Sequence, residues 1–313
     1  MIDAAIVGLG RWGRALVESA QRSGKLRFVR GVDPEAEAGK FSSLHRLKHS
    51  GDYADALADL AVQAVVLATP HSLHLEQVVA AARAGKQVFC EKPLALTASD
   101  AGKMIDACAR AGVVLGVGHN RRWWPAMREL KRLADSGALG TLLHIEGHNS
   151  NENSNAVAGG WRTLPAESPG GGMTGAGLHA LDAMIGVAGP VKRVQGQLLL
   201  RKPPPAPQDT ASALLEFESG VSGLLATVRA TPFYWRVHAF GTRGNAEVLG
   251  ETELVLRMSG KPLQRLQLEP ADSLRAELEA FADAIEGRAA FPVAPAEMLQ
   301  TVAAFEAVIR ALR

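Results

Sequence analysis

The chain has 313 residues, a length that suggests about two domains. Apolar residues make up 47% and charged residues 21%, and the net charge is only +2. This balance argues against a nucleic-acid or membrane-surface partner, because such binding needs a concentrated positive charge. Its apolar runs are shorter than a membrane span and its first residues lack a basic segment, so we expect neither a membrane span nor a secretion signal. Cys90 and Cys108 are the only cysteines, so we expect a cytoplasmic protein without a disulfide scaffold.

Residues 1–119 alternate between short apolar runs and stretches with helical spacing. The runs that predict strands are Ala4–Val7, Leu26–Val32, Ala64–Ala68, Gln87–Cys90 and Val113–Val117. Continuous apolar strands are buried on both faces, and helical connections between them indicate a parallel sheet. Thr97 and Asp100 predict the start of one of these helices as a capping pair. We therefore expect a doubly wound α/β domain over residues 1–119.

The sequence pattern over residues 120–313 predicts a second domain of the α+β class. A helix is expected at Pro125–Asp135, and a hairpin at Ala211–Glu218 and Val221–Arg229, turning at Ser219–Gly220. Further strands are predicted at His238–Phe240, Ala246–Leu249 and Glu253–Met258. Two helices close the chain, and the last of them is expected to pack back on the first domain. The proline-rich stretch Lys202–Pro207 predicts a stiff loop.

A glycine motif follows the first predicted strand. Gly8, Gly10 and Gly13 match the dinucleotide fingerprint G-x-G-x-x-G, with Arg11 and Trp12 between them. The first glycine permits a tight turn, the second lets the backbone approach a pyrophosphate, and the third lets helix and strand pack closely. The N–H groups at the start of the helix can bind the anion. A purely structural glycine turn is the alternative interpretation.

The end of the second predicted strand bears on the choice of cofactor. Asp33 lies twenty residues after Gly13, where a carboxylate would bind the adenosine ribose. It would also repel a 2′-phosphate, and Glu35 and Glu37 add further negative charge. We therefore expect NAD, while the nearby Arg30 leaves NADP open.

Three further segments carry residues with catalytic chemistry. Thr69, Pro70, His71 and His74 follow the third predicted strand, and Glu91-Lys92-Pro93 follows the fourth. In open α/β sheets the ligand crevice lies outside the carboxyl ends of the strands, so both segments are expected to line it. A glycine-rich block, GGGMTGAGLHALD at residues 170–182, lies in the second domain. His71 and His74 have no third metal ligand at suitable spacing, so we expect no metal.

These motifs together resemble the glucose–fructose oxidoreductase/inositol dehydrogenase family. The resemblance covers essentially the whole chain. It rests on GLGRWG, TPHSLH, AGKQVFCEKPLA, GHNRRW, GWR and the glycine–histidine block. It implies an N-terminal Rossmann domain and a C-terminal domain built on a large, mostly antiparallel open sheet. In the family that sheet commonly forms the interface of a homodimer or homotetramer.

The resemblance also implies roles for individual residues. Lys92 would bind the reacting oxygen as a catalytic acid/base, and His179 would accept a proton or bind substrate. The implied cofactor contacts are Gly8, Gly10, Arg11, Trp12, Gly13, Asp33, Thr69, Pro70, His71, His74, Glu91, Lys92 and Pro93. The implied substrate contacts are Asn120, Arg122, Trp161, Arg162 and Asp182. An exposed lysine and a buried histidine bonded to backbone are the structural alternatives.

One position departs from the family pattern. Dehydrogenases of the family usually carry an Asp four residues before the histidine, where this chain has Gly175. The missing carboxylate would have oriented the histidine and offset a nearby positive charge, so its loss bears on the proton relay and on turnover itself. Asp182, three residues after His179, or Glu91 could compensate for it.

The sequence therefore predicts an NAD(P)-dependent oxidoreductase acting on a hydroxyl or carbonyl carbon of a small cyclic substrate. Sugars and inositols follow from the resemblance, and the altered block favours a less hydroxylated ring such as a cis-dihydrodiol. One alternative is an enzyme that keeps NAD bound without net redox. Another is an NAD-binding regulatory protein without turnover.

Overall fold

The computed structural model describes four ranges of the chain: 1–151, 160–200, 209–229 and 231–312. The predicted stiff loop at Lys202–Pro207 lies outside the described residues. No helix within the described ranges is long and apolar enough to cross a membrane.

The described residues form two sheets and several helices. The strands are β1 Ile2–Val7, β2 Leu26–Val32, β3 Lys48–Ser50, β4 Ala64–Leu67, β5 Gln87–Glu91, β6 Leu115–Gly118, β7 Leu142–Ser150, β8 Val191–Leu200, β9 Asp209–Phe217, β10 Ser222–Val228, β11 Tyr234–Gly241, β12 Gly244–Leu249, β13 Glu253–Met258 and β14 Gln264–Gln267. The helices are α1 Arg11–Ala20, α2 Ala36–Leu44, α3 Tyr53–Ala58, α4 His74–Arg83, α5 Ala98–Ala111, α6 Pro125–Asp135, α7 Leu178–Ala188, α8 Ser273–Ile285 and α9 Pro295–Ala311.

The chain divides into two compact units. The first contains Met1–Asn120 and Asp272–Leu299, and the second contains Arg121–Ala271 and Gln300–Arg313. The first unit thus takes in a late segment that the sequence analysis assigned to the second domain. Phe281 of α8 explains this placement, because its ring is fully buried with its centroid 5.5 Å from that of Phe89 on β5.

The first unit is built on the predicted parallel sheet, in the strand order β3-β2-β1-β4-β5-β6. The direction of winding reverses between β1 and β4, which is the position where open α/β sheets bind ligands. Val7 pairs with Leu67, and Leu67 pairs with Cys90, so β1, β4 and β5 end at one level. The predicted cap of α5 is confirmed, since the Thr97 side chain accepts a hydrogen bond from the Asp100 N–H at 3.1 Å.

The second unit is built on an eight-stranded sheet in the order β14-β13-β12-β11-β7-β10-β9-β8. It is mostly antiparallel, and β7 and β10 form its parallel pair. The predicted hairpin is confirmed: β9 and β10 are antiparallel, and the Phe217 N–H donates to the Val221 carbonyl at 2.9 Å. Gly220 adopts a φ of +84° in this turn, a conformation that favours glycine.

One face of this sheet packs against helices. On β7, Ile145, Gly147 and Asn149 are buried beneath α7. A side chain at Gly147 would lie 2.5 Å from the Met184 sulfur, so this glycine lets the helix approach the strand closely. The residues between them, such as Glu146, lie on the opposite face. The sequence analysis did not predict β7, because a glycine and an asparagine on its buried face obscure the apolar alternation.

Candidate active site

The glycine loop after β1 has the geometry of a nucleotide-binding turn. Gly8 has a φ of +92°, and a Cβ there would lie 2.7 Å from the Ala68 carbonyl oxygen. A Cβ on Gly13 would lie 1.9 Å from the Gly8 carbonyl oxygen, so α1 packs directly on the turn. In contrast, a Cβ on Gly10 would meet nothing within 4 Å. The backbone at Gly10 therefore faces open space, as the approach of a pyrophosphate requires.

The residues between these glycines lie in different surroundings. Arg11 is the exposed first residue of α1, and no side chain caps that helix at Gly10. Uncapped N–H groups at a helix start can bind an anion. Trp12 is half-buried and packs against the core of the first unit, with its indole nitrogen inside the protein. Trp12 thus contributes to the core, and its contact with the cofactor stays a prediction.

Asp33 is fixed directly after β2. Its Oδ2 accepts a hydrogen bond from the Leu9 N–H at 2.6 Å, and its Oδ1 accepts one from the Glu35 N–H at 2.9 Å. The carboxylate is thereby tied to the glycine loop. Arg30, which left NADP open in the sequence analysis, is buried and donates to Asp59 at 2.6 Å and 3.2 Å. Its guanidinium is therefore held by a carboxylate of the protein.

The turn after β4 is anchored to α4. The Thr69 hydroxyl donates to the Gln77 side chain at 2.6 Å, and the Tyr53 hydroxyl donates to the Gln77 carbonyl at 2.9 Å. Burial raises the pKa of Tyr53 above its usual range. Pro70 precedes a short 3₁₀ turn that contains the half-buried His71. Thr69 comes two residues after Leu67, which forms the last β4–β5 pair with Cys90.

Glu91, Lys92 and Pro93 follow at the end of β5. The Glu91 side chain is buried, and its Oε2 accepts a hydrogen bond from the Lys92 N–H at 3.2 Å. A Cβ on Gly118 would lie 2.5 Å from Glu91 Oε1, so this glycine makes room for the carboxylate. Lys92 is half-buried, and Pro93 is buried. The described residues contain no cluster of three or more His, Cys, Asp or Glu side chains that could hold a metal ion.

The NRRW segment places its polar residues in separate environments. In the first unit, the Asn120 amide donates to the Ser273 hydroxyl at 3.1 Å, at the start of α8. In the second unit, the Arg121 guanidinium stacks between the rings of Trp124 and Trp235, at 4.5 Å and 4.4 Å. Burial lowers the pKa of Arg121 to about 9, so the side chain is still a cation at neutral pH.

Buried Asp182 and half-buried Arg122 form an ion pair in the second unit. Arg122 Nε donates to Asp182 Oδ2 at 2.7 Å, and its NH2 nitrogen donates to Oδ1 at 2.6 Å. Such a two-bond pairing is strong and fixes the orientation of both groups. The pair holds α7 in place, and the contact of both residues with substrate stays a prediction. Trp161 and Arg162 lie in a short 3₁₀ turn, with the guanidinium 4.1 Å from the indole ring.

His179 is the buried second residue of α7, and a π-helical turn, Met173–Gly177, precedes it. π-Helical turns are rare and frequently occur at functional sites. Gly175 is exposed within this turn, and a Cβ there would meet nothing within 4 Å. The position that carries an Asp in the family pattern therefore has room for a side chain in this protein.

Two residues that the sequence analysis missed hold this turn in place. Buried Asp209 accepts hydrogen bonds from the Gly172 N–H at 3.2 Å on both oxygens, and the Asn149 amide donates to the Ala176 carbonyl at 2.7 Å. Burial raises the pKa of Asp209, while the Gly172 N–H and the Arg229 guanidinium oppose the shift. A Cβ on Gly171 would lie 2.3 Å from Asp209 Oδ2, so the glycines admit the carboxylate.

A signal for Asp209 was present in the sequence. Ala211, Ala213, Leu215 and Phe217 alternate along β9 on its buried face, and Asp209 continues the same phase. A carboxylate on an apolar face needs hydrogen-bond donors. The donor proved to be the glycine-rich block, whose position relative to β9 is not evident from local sequence.

Comparison with known proteins agrees with this geometry. Residues 2–119 match the oxidoreductase family with an NAD-binding Rossmann fold, and residues 127–247 match the GFO/IDH/MocA C-terminal domain. The chain belongs to this oxidoreductase family. The fold is thus a Rossmann-like domain combined with a large, mostly antiparallel sheet, as the sequence predicts.

Two relatives and one solved structure are similar to this chain over most of its length. The 1,5-anhydro-D-fructose reductase of Ensifer adhaerens is 31% identical over 251 residues, which cover 74% of this chain and 72% of that one. The NAD⁺-dependent scyllo-inositol 2-dehydrogenase of Bacillus subtilis is 29% identical over 260 residues, covering 78% and 72%. A levoglucosan dehydrogenase solved with NADH and levoglucosan shares the fold, with a TM-score of 0.89 at 21% identity over 99% and 96% of the two chains.

The open space at Gly10 generates a testable prediction. Gly10→Ala is expected to leave thermal stability unchanged, because the new methyl group meets no protein atom. It is expected to weaken NADH binding by about tenfold or more, since the methyl group occupies the path of the pyrophosphate. Titration of NADH fluorescence measures the affinity.

Gly102→Ala is the matched control, because a Cβ there also meets nothing within 4 Å but lies on α5. It is expected to leave NADH affinity unchanged. Equal affinities for the Gly10→Ala variant and the wild type would contradict the assignment of this loop.

Proposed function

We propose that this protein is an NAD-dependent dehydrogenase or reductase of a small cyclic sugar or polyol. The single observation that carries the proposal is the common level at which β1, β4 and β5 end. Their register brings the glycine turn, Thr69 and Lys92 to one edge of the sheet. This edge is the ligand-binding edge of open α/β sheets.

The cofactor would bind across this edge, and its nicotinamide ring would accept or return the hydride. The backbone at Gly10 and the start of α1 would hold the pyrophosphate, and Asp33 would accept hydrogen bonds from the ribose. In substrate oxidation, the Lys92 amine would take the hydroxyl proton as the C–H hydride leaves. The ammonium so formed would stabilise the negative charge that develops on that oxygen while the hydride leaves to the nicotinamide and the C=O bond forms. His179 would assist this proton transfer.

The substrate class rests on the relatives. Their names refer to an anhydro sugar and an inositol, which favours the sugar and polyol part of the sequence-based expectation over a cis-dihydrodiol. A panel of inositols, anhydro sugars, aldoses and cyclic cis-diols, each assayed with NAD⁺ and with NADH, tests the proposal. Substrate-dependent change of the reduced-nicotinamide absorbance is the expected result. Tightly retained NAD without any net reduction would contradict it.

Replacing the proposed acid/base tests the role of Lys92. Lys92→Met is expected to lower kcat by about 10²–10⁴-fold, the usual range for losing general acid–base catalysis. NADH affinity is expected to stay nearly unchanged. Steady-state kinetics measure kcat, and NADH titration measures the affinity.

Lys103→Met, which replaces an exposed lysine on α5, is the control and is expected to match the wild type. A Lys92→Met variant with undiminished kcat would contradict the proposed mechanism.

We also propose that NAD is preferred over NADP. The Asp33 carboxylate is held at the glycine loop, and Arg30 is bound to Asp59, so it is not available to a 2′-phosphate. Asp33→Asn removes the repelling charge and keeps a polar side chain. The ratio of kcat/KM for NAD⁺ to that for NADP⁺ is expected to fall by about tenfold or more.

Asp106→Asn, a change of an exposed acid on α5, is expected to leave that ratio unchanged. An equal ratio in the wild type and the Asp33→Asn variant would show that Asp33 does not select the cofactor.

We propose that the chain forms a homo-oligomer through the open face of its eight-stranded sheet. Leu214 on β9 and Leu224 on β10 are cross-strand neighbours there, and they are 58% and 37% exposed. Exposed apolar pairs on a sheet face are typical of association surfaces. Sedimentation is expected to show a dimer or tetramer for the wild type and a monomer for the Leu214→Arg/Leu224→Arg double variant.

Leu60→Arg is the control, because Leu60 is 96% exposed and lies in the other unit. A wild type that sediments as a monomer would overturn the proposal.

A cytoplasmic location is part of the same proposal. Cys90 and Cys108 are both free and buried. Burial raises the pKa of both thiols, which keeps them protonated and unreactive at neutral pH. This pair of reduced cysteines supports an enzyme that works in a reducing compartment.

A further inference from the structure

His74 is fully buried at the start of α4, although the sequence analysis predicts a cofactor contact there. Its imidazole lies between two chain segments. Nδ1 is 2.9 Å from the Pro93 carbonyl oxygen and 3.3 Å from that of Leu94, and Nε2 is 3.2 Å from the Thr69 carbonyl oxygen. The ring thus links the turn after β4 to the turn after β5.

We propose that His74 is the positioning residue for Lys92, which it holds in place through the backbone of the Lys92–Pro93 turn. This inference rests on the proposed function of Lys92 as the catalytic acid/base. Carbonyl oxygens only accept hydrogen bonds, so a ring nitrogen bonds one only where it carries a proton, and a neutral imidazole carries one proton. We assign this proton to Nδ1, which has the shorter distance, so that it donates to the Pro93 carbonyl. A proton on Nε2 would add the bond to Thr69.

The Lys92–Pro93 turn lies beyond the last strand pair of β5. The last pair of the β5–β6 ladder joins Glu91 to Gly118, one residue before Lys92. On the other side of the turn, proline fixes its own φ and lacks an N–H group. The Lys92 N–H is bound by the Glu91 side chain, and the Pro93 carbonyl is bound by His74. Side-chain hydrogen bonds therefore fix the backbone on both sides of Lys92.

Helix α4 provides a common anchor for both turns. His74 lies in its first turn, and Gln77 follows three residues later, where it accepts the hydrogen bond from the Thr69 side chain. Residues three apart on a helix are neighbours on one face. One helix turn therefore contacts both turns: Gln77 bonds the turn after β4, and His74 bonds the Lys92–Pro93 turn after β5.

Two substitutions distinguish the contact made by Nδ1 of His74 from the contact made by Nε2. An Asn side chain can place its amide nitrogen near the position of Nδ1, so His74→Asn can keep the bond to Pro93. A Gln side chain can place its amide nitrogen near the position of Nε2, so His74→Gln can keep the contact with Thr69 and lose the one with Pro93. The proposal predicts that the Gln variant is the more defective of the two.

In the test, purified full-length variants are compared in kinetics, NADH titration and thermal unfolding. His74→Gln is expected to lower kcat by about 10–100-fold, because a small misplacement of a catalytic group has effects of that size. NADH affinity is expected to stay within about threefold of the wild type. His74→Asn is expected to recover most of the loss. Gln77→Leu, which frees the Thr69 side chain and leaves His74 in place, is the structural control.

A second readout does not depend on turnover. The rate at which trinitrobenzenesulfonate modifies the Lys92 amine, followed by peptide mass spectrometry across a pH series, gives the ionisation of that amine. The midpoint of this profile is expected to move in His74→Gln and to stay at the wild-type value in His74→Asn and Gln77→Leu. A role for His74 in general stability would not produce this difference.

The outcomes separate this inference from the proposed function. If Lys92→Met is inactive while His74→Gln matches the wild type in kcat and in the modification profile, the inference about His74 is wrong and the function stands. If Lys92→Met keeps full turnover, the proposed function itself fails. Equal defects in the Gln and Asn variants, or a Gln variant that cannot fold, would assign His74 to the protein core and overturn its positioning role.

Discussion

The candidate site depends on the parallel pairing of β1, β4 and β5. Backbone hydrogen bonds fix the register in which Val7, Leu67 and Cys90 lie side by side. The glycine turn and the residues that follow β4 and β5 must then leave the sheet at the same edge. No specific side chain is needed for this alignment, because it follows from strands that are buried and pair in parallel.

Beyond the strand ends, buried and half-buried polar side chains hold the loops in place. Asp33 binds the glycine loop, Gln77 binds Thr69, and His74 spans the turns after β4 and β5. The second unit uses the same device, since Asp209 and Asn149 hold the π-helical turn before His179. Because an unpaired polar group in a protein interior is costly, each of these contacts favours one conformation of its loop.

Local signals made much of the first unit predictable. The bounds of β2 coincide with the predicted strand, and Thr97 caps α5 as expected, because apolar runs and capping pairs are properties of neighbouring residues. The hairpin at Gly220 was predictable for the same reason. The dinucleotide motif was recognisable from the spacing of its glycines, and its geometry agrees with that interpretation.

Long-range pairing made the rest unpredictable. Nothing near Asp209 shows that its donor is Gly172, and nothing near Arg30 shows that Asp59 engages it. The i, i+3 spacing of His179 and Asp182 predicts mutual orientation, but nothing in that spacing shows that Asp182 also bonds Arg122, sixty residues away. Such partners become neighbours only after folding.

The central claim is that a hydride passes between a ring carbon of the substrate and the nicotinamide. Incubation of the enzyme with NAD⁺ and a polyol deuterated at its carbinol carbons tests it most directly, with mass spectrometry of the recovered cofactor. We predict that the reduced cofactor carries deuterium taken from carbon. Deuterium that appears only in water, or that never leaves the substrate, would contradict the account.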